Sequence, residues 1–187
     1  PIKINVGEYI HIIREQDMGE AGKAIGRWAG KNLANIGSAL TGILGVAHVA
    51  KSIMGDKLTT VTGKAMHTLS GGLVPLWTPS LPKPVSKAEL QTAKEYGAVH
   101  GLKGLRDKRV VYFPSCLNQR LSTPGKPLIN DITELLNKAG YEVLFPANME
   151  NLCCGTIWES KGMPEEADRK AAELELALLK ASEYGTS

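Results

Sequence analysis

The chain has 187 residues, 43% of them hydrophobic and 22% charged, with a net charge of +3. That length and apolar content suit one domain or two small ones with a real core, and the charge is too mild and too dispersed for a nucleic-acid binder. Three cysteines in a long, core-rich chain exclude a secreted disulfide scaffold and favour a reduced, cytoplasmic compartment.

The opening residues 1–6 read as extended. A helix follows from Gly7-Glu8 to about Met18, with Tyr9, Ile12 and Ile13 as its apolar stripe. From Glu20 to Gly55 the pattern is helical but rich in glycine. Gly22, Gly26, Gly30 and Ala34 recur every four residues, and Ser38 and Gly42 continue the register. Each glycine costs about 1 kcal/mol in a helix interior relative to alanine, so the repeat is read as a flat seam approached by another backbone. Ile25, Trp28, Ile36, Leu40 and Leu44 supply bulk beside it.

Leu33 to Ala50 is 18 residues without a charge, at the threshold for a membrane span. Asn35, Ser38, Thr41, His48 and three glycines dilute it. The reading is a buried helix, or one broken near Gly37, with His48 a core histidine and peripheral contact with the inner membrane surface as the alternative. Lys57 to Leu69 reads as a further short helix, stopped by Ser70-Gly71-Gly72. Four prolines between Pro75 and Pro84 then forbid helix and central strand, which leaves an extended connector pinned by Trp77. The resulting division is a helical segment over 1–85, a linker over 86–108 and an α/β unit over 109–187. Within the linker, Ser86 to Val99 reads as a weak or mobile helix.

Arg109 to Phe113 is the best strand in the chain, closed by Pro114. Pro127 suits the first turn of a helix with Leu128, Ile132, Leu135 and Ala139 as its buried stripe, and Gly140 suits a left-handed cap. Tyr141 to Phe145 is the second strand. Pro164 opens a final helix with Glu165 and Glu166 in the dipole-favoured first turn and Ala167, Ala171, Leu174, Leu178 and Ala181 as a stripe.

Strand, helix, strand in this span is a parallel, right-handed βαβ unit. Parallel strands end on one rim, where open α/β sheets hold ligands. Cys116 lies three residues past the first strand; Cys153 and Cys154 lie eight and nine past the second. Topology therefore gathers sulfurs 37 positions apart. Thiolates bind zinc and iron–sulfur clusters, and Gly155 lets backbone come close and turn amide N–H groups toward a cluster. The same residues also admit inert core thiols or a thiol redox site with Asn118, Arg120 and Lys161 nearby.

The elements Val110-Val111-Tyr112-Phe113-Pro114-Ser115-Cys116, Ala139-Gly140-Tyr141-Glu142-Val143, Leu152-Cys153-Cys154-Gly155 and Ser160-Lys161-Gly162 together resemble a cysteine-rich CCG domain. Such domains occur in heterodisulfide reductase subunits, glycolate oxidase iron–sulfur subunits and flavin-dependent D-lactate dehydrogenases. The Phe-Pro-Ser-Cys and Ser-Lys-Gly elements are most similar to the fused FAD and iron–sulfur D-lactate dehydrogenase type. The resemblance covers about 109–187, and the layout of 1–84 is similar to the helical segment preceding this domain.

The resemblance implies a Rossmann-like unit in which Cys116, Cys153 and Cys154 are ligands of a [4Fe–4S]-type cluster, with Gly155 shaping the loop. It implies an internal piece of a larger protein. Pro1-Ile2-Lys3-Ile4-Asn5 resembles the sequence just after a ferredoxin-like cysteine motif, FAD belongs to an earlier domain, and the CCG motif is completed by cysteines beyond Ser187. The implied activity is oxidation of D-lactate or a related 2-hydroxy acid, with electrons passed to a quinone or cytochrome. No general base for this oxidation is identifiable in the piece, and the isolated piece is expected to be inactive as a dehydrogenase and incomplete in its cluster ligands. The competing readings are a heterodisulfide-reductase-like thiol/disulfide subunit and a non-enzymatic helical interaction module.

Overall fold

The computed structural model describes residues 6–69, 82–99, 108–122 and 126–183. The extended start, most of the proline-rich connector with Trp77, residues 100–107 and the Gly185 cap lie outside these. The architecture is mixed α/β and mostly helical. Three helices come first: α1 (Val6–Asp17), α2 (Glu20–Lys31) and α3 (Leu33–Leu69). A short strand β1 (Lys83–Pro84) and helix α4 (Lys87–Val99) lead into the second half. That half comprises β2 (Arg109–Val111), β3 (Leu121–Ser122), α5 (Leu128–Lys138), β4 (Glu142–Leu144), a 3₁₀ turn over Met149–Asn151, α6 (Thr156–Glu159) and α7 (Pro164–Ala181).

The two expected strands pair in parallel, with Val110 opposite Val143 and Val111 opposite Leu144. β1 and β3 form a separate antiparallel pair, Lys83 opposite Ser122. Gly140 takes the left-handed conformation after α5, with φ +86°. Each sheet has two strands among the described residues, too few to stand in water without helices against them. The main core supplies this cover. Leu90 and Ala93 of α4, Ile129 of α5, Met149 and Leu152 are buried together, and Tyr112, Phe113, Phe145, Leu174 and Ala177 pack around them.

Several expectations need correction. The segment read as a weak or mobile helix is α4, firmly capped: the Ser86 amide donates to Glu89 Oε2 at 2.7 Å and the Glu89 amide to Ser86 Oγ at 3.1 Å. This is a capping box, visible in the sequence as Ser-x-x-Glu. The buried stripe of α5 is shifted by one residue. Ile129, Thr133 and Asn137 face inward, while Leu128 and Leu135 are exposed. The Thr133 hydroxyl donates to the Ile129 carbonyl at 2.7 Å, so a polar residue enters the core satisfied.

In α3 no break occurs near Gly37; the break falls at Gly55, where φ is +77°, between the run expected to end at Gly55 and the expected helix from Lys57 to Leu69. The helix is not buried either; from Leu33 to Ile53 only Gly37 is buried. The glycine seam is met not by another backbone but by side chains of α6, α7 and Met163 just before α7. A side chain at Gly26 would collide with Met163, and one at Gly30 with Glu166 and Arg169. The seam stops short of Gly42, which faces open space.

Candidate thiol and metal centre

Cys116 follows β2 in a tight turn. The Ser115 carbonyl accepts from the Gln119 amide at 3.0 Å, and the buried Gln119 side chain donates to the Pro114 carbonyl at 2.9 Å. The Cys153–Cys154 turn follows β4 and is held from three sides. Asn148, in the left-handed region at φ 56°, starts the 3₁₀ turn. Asn151 Nδ2 donates to Asn148 Oδ1 at 2.8 Å, and Asn151 Oδ1 accepts the Ala34 amide of α3 at 3.2 Å. Lys170 of α7, fully buried, donates to the Asn151 carbonyl at 2.8 Å, the Gly30 carbonyl at 3.3 Å and Glu173 Oε2 at 2.6 Å. Three acceptors satisfy its three N–H bonds, which is what permits an ammonium inside a protein.

Gly155 ends the turn at φ +87°. A Cβ there would stand 2.4 Å from the Ala167 carbonyl oxygen, so this glycine is required because the turn lies directly on α7. Gly162 has the same role in the following loop. With φ +76°, it lies beneath the backbone of Arg14 and Glu15 in α1. Arg14 Nη1 donates to the Ser160 carbonyl at 2.7 Å, and Trp158 Nε1 donates to the Gly26 carbonyl at 3.1 Å. The Ser160-Lys161-Gly162 element is thus where the first two helices seat on the thiol-bearing unit.

The sulfurs of Cys116 and Cys153 meet. Both belong to a second core with Trp158, Met163 and Ala167, and Cys153 hydrogen-bonds to Cys116. That donated bond stabilises the Cys116 thiolate and brings its pKa down to about 6, against burial and the nearby Cys154, which act the other way. Cys153 is pushed up, first because it gives the bond and then by burial. Cys154 stays beside the pair, hydrogen-bonded to Cys153 and close enough to Cys116 to oppose its ionisation. It is exposed, with its sulfur 3.3 Å from Thr156 Oγ1, and it lines a groove of about 470 Å³ with Val111, Ala171, Leu174 and Leu178.

Two soft thiols in contact at one rim fit one edge of an iron–sulfur cluster or zinc site. Among the described residues, no group of three or more His, Cys, Asp or Glu side chains stands ready to hold a metal ion, so the pair fits such a group as a fraction of a ligand set. Of the expected polar neighbours, Arg120 is directed away; its guanidinium lies against Gly37 of α3 and donates to the Glu150 carbonyl at 3.4 Å. Lys161 is exposed. Sequence reasoning missed Lys170. Its only signal is a lysine four residues after Glu166 on the helix face that also carries Ala167. No family model, curated protein or solved structure matches the chain.

Proposed function

We propose that this chain is the cluster-carrying region of an iron–sulfur flavoprotein that oxidises D-lactate or a related 2-hydroxy acid. The observation that carries the reading is the contact between Cys116 and Cys153, made by parallel pairing of β2 with β4. In this reading the unit is a Rossmann-like CCG domain. Cys116 and Cys153 bind one edge of a [4Fe–4S]-type cluster, Cys154 on the same turn is the third ligand, and further ligands come from outside the described residues. One-electron transfer is the chemistry such a cluster supplies when bound, between a flavin domain elsewhere in the polypeptide and a quinone or cytochrome acceptor.

The chain's own residues do three things. The Cys116 turn and the Lys170-anchored turn fix the spacing of the two thiols before any metal arrives, which lowers the ordering cost of binding. The Cys153 hydrogen bond favours a thiolate at Cys116, the form that ligates. Trp158, Met163 and Ala167 close the inner side of the pair to water, as a hydrophobic shell around a metal site does.

The test is anaerobic reconstitution of the full-length protein with iron and sulfide, followed by visible absorption and electron paramagnetic resonance. Cys116→Ser and Cys153→Ser are each expected to reduce cluster content severalfold; unchanged spectra in both would sink the reading. The same contact favours one second reading, a dithiol/disulfide pair of the heterodisulfide-reductase kind. Two thiols that take up no iron but oxidise reversibly to one disulfide would select it.

A further inference from the structure

Helix α3 is built inside out. Positions 34, 37, 41, 45 and 48 recur three or four apart and share one face. That face meets the α/β unit. The Ala34 amide donates to Asn151, Gly37 backs onto Arg120 and Gly45 onto Pro84, and His48 Nε2 lies 3.2 Å from the Pro82 carbonyl. The Thr41 hydroxyl turns back onto the Gly37 carbonyl at 2.8 Å. The residues facing the protein are therefore small or polar. The large aliphatics Ile36, Leu40, Ile43, Val46, Val49 and Ile53 lie on the other side and are exposed, Val46 at 72% and Ile53 at 80%. A helix at a water-facing surface has the opposite arrangement.

The pattern also says what covers this face. Leu33 to Ala50 carries no charge, and Lys31 and Lys51 stand at its two ends. Leu33–Ile53 is long and apolar enough to cross a membrane by length and composition. Its inner face is pinned to protein at Ala34, Gly37, Gly45 and His48, however, so lipid can reach the outer side alone. A coiled-coil pairing with a second copy would need a narrow seam, whereas the six aliphatics swing around the helix, Ile36, Leu40 and Ile43 on one line and Val46, Val49 and Ile53 on another. A broad uncharged arc bounded by lysines suits a bilayer interface, where aliphatic groups enter the acyl region and ammonium groups stay at the phosphates. Neighbouring α2 leaves Ile25 and Trp28 exposed as well, with Arg27 and Lys31 close in sequence. We infer that the outer face of α3 docks flat on an anionic lipid bilayer, with the helix axis in the membrane plane.

The experiment is flotation of the full-length protein with vesicles of phosphatidylcholine, alone or mixed with phosphatidylglycerol. The wild type is expected to float with the mixed vesicles, and severalfold less with the neutral ones. I43E/V46E is expected to lower partitioning about tenfold or more, with circular dichroism and unfolding midpoint preserved, since both side chains are exposed. V46S/I53S serves as the second variant should the first not fold. Absence of flotation with either vesicle, or partitioning unaffected by both variants, overturns the inference. So does a wild-type dimer that these variants dissolve, which would assign the face to a second copy.

Discussion

Helices α3 and α7 are the two longest among the described residues, and they invert each other. α7 buries Glu166 and Lys170 and meets Gly30 of α2 with charged groups, while α3 meets its neighbours with glycine and histidine and turns isoleucine outward. Hydropathy alone would assign their faces the other way round. What decides is the partner each face meets. α7 faces backbone carbonyls, Gly30 and Asn151, that an ammonium can satisfy. The outer aliphatics of α3 stay exposed among the described residues.

The contrast can be broken at Lys170 first. Lys170→Met leaves the Gly30 and Asn151 carbonyls without their donor and Glu173 with Arg169 as its remaining cation, and is expected to cost about 3 kcal/mol in urea unfolding. A loss under about 1 kcal/mol would mean the ammonium is not what holds the turn. Gly155→Ala adds a Cβ 2.4 Å from the Ala167 carbonyl oxygen at positive φ. It is expected to destabilise by about 2 kcal/mol and to lower cluster content on reconstitution, because the cysteine turn must lift off α7.

The thiol pair sharpens the comparison through pH. In metal-free protein, alkylation of Cys116 is expected to reach half its maximal rate near pH 6, and Cys153→Ala should move that midpoint toward the ordinary thiol range near pH 9. Stability changes in the same window. A thiol whose folded pKa is depressed releases its proton earlier when folded, so the unfolded chain holds more protons between about pH 6 and 9 and stability rises with pH across that range. The Cys116 contribution is fully present above about pH 9 and is lost as pH falls through 6. A midpoint unchanged in Cys153→Ala would show that the shared hydrogen bond does not set the Cys116 pKa. The smallest effect belongs to α3: Ile43→Ala is expected to leave stability in solution within about 0.5 kcal/mol, read by the same urea titration. A cost of several kcal/mol would show that Ile43 is covered within the protein.

The βαβ topology was legible because it rests on few signals that chain geometry reinforces: two short β-branched runs, prolines at their ends, and Gly140 where only a left-handed residue fits. The same logic brought Cys116 to Cys153. It did not foresee that Cys153 would turn inward and Cys154 outward, since which of two adjacent residues faces the core is set by a single-residue register. The phase of α5 was missed for a related reason, as a threonine bonded to its own helix can occupy a core position that hydropathy reserves for leucine. The glycine repeat revealed a close approach without revealing the neighbour. The exposure of α3 was hidden because an apolar, uncharged run reads alike whether protein or something else covers it.

Asn151 stands at the junction of these regions. Its side-chain oxygen takes up one of the amides that the first turn of α3 leaves without a helical partner, its side-chain nitrogen holds Asn148, and its carbonyl receives Lys170. It is two residues from Cys153. One amide side chain thus acts as a rivet between the outward-facing helix and the sulfur-bearing turn, so any force or tilt applied to α3 is delivered within two peptide units of the thiols. Asn151→Asp would keep the acceptor for Ala34 and lose the tie to Asn148, so α3 stays fastened to the turn while the turn loses its internal brace.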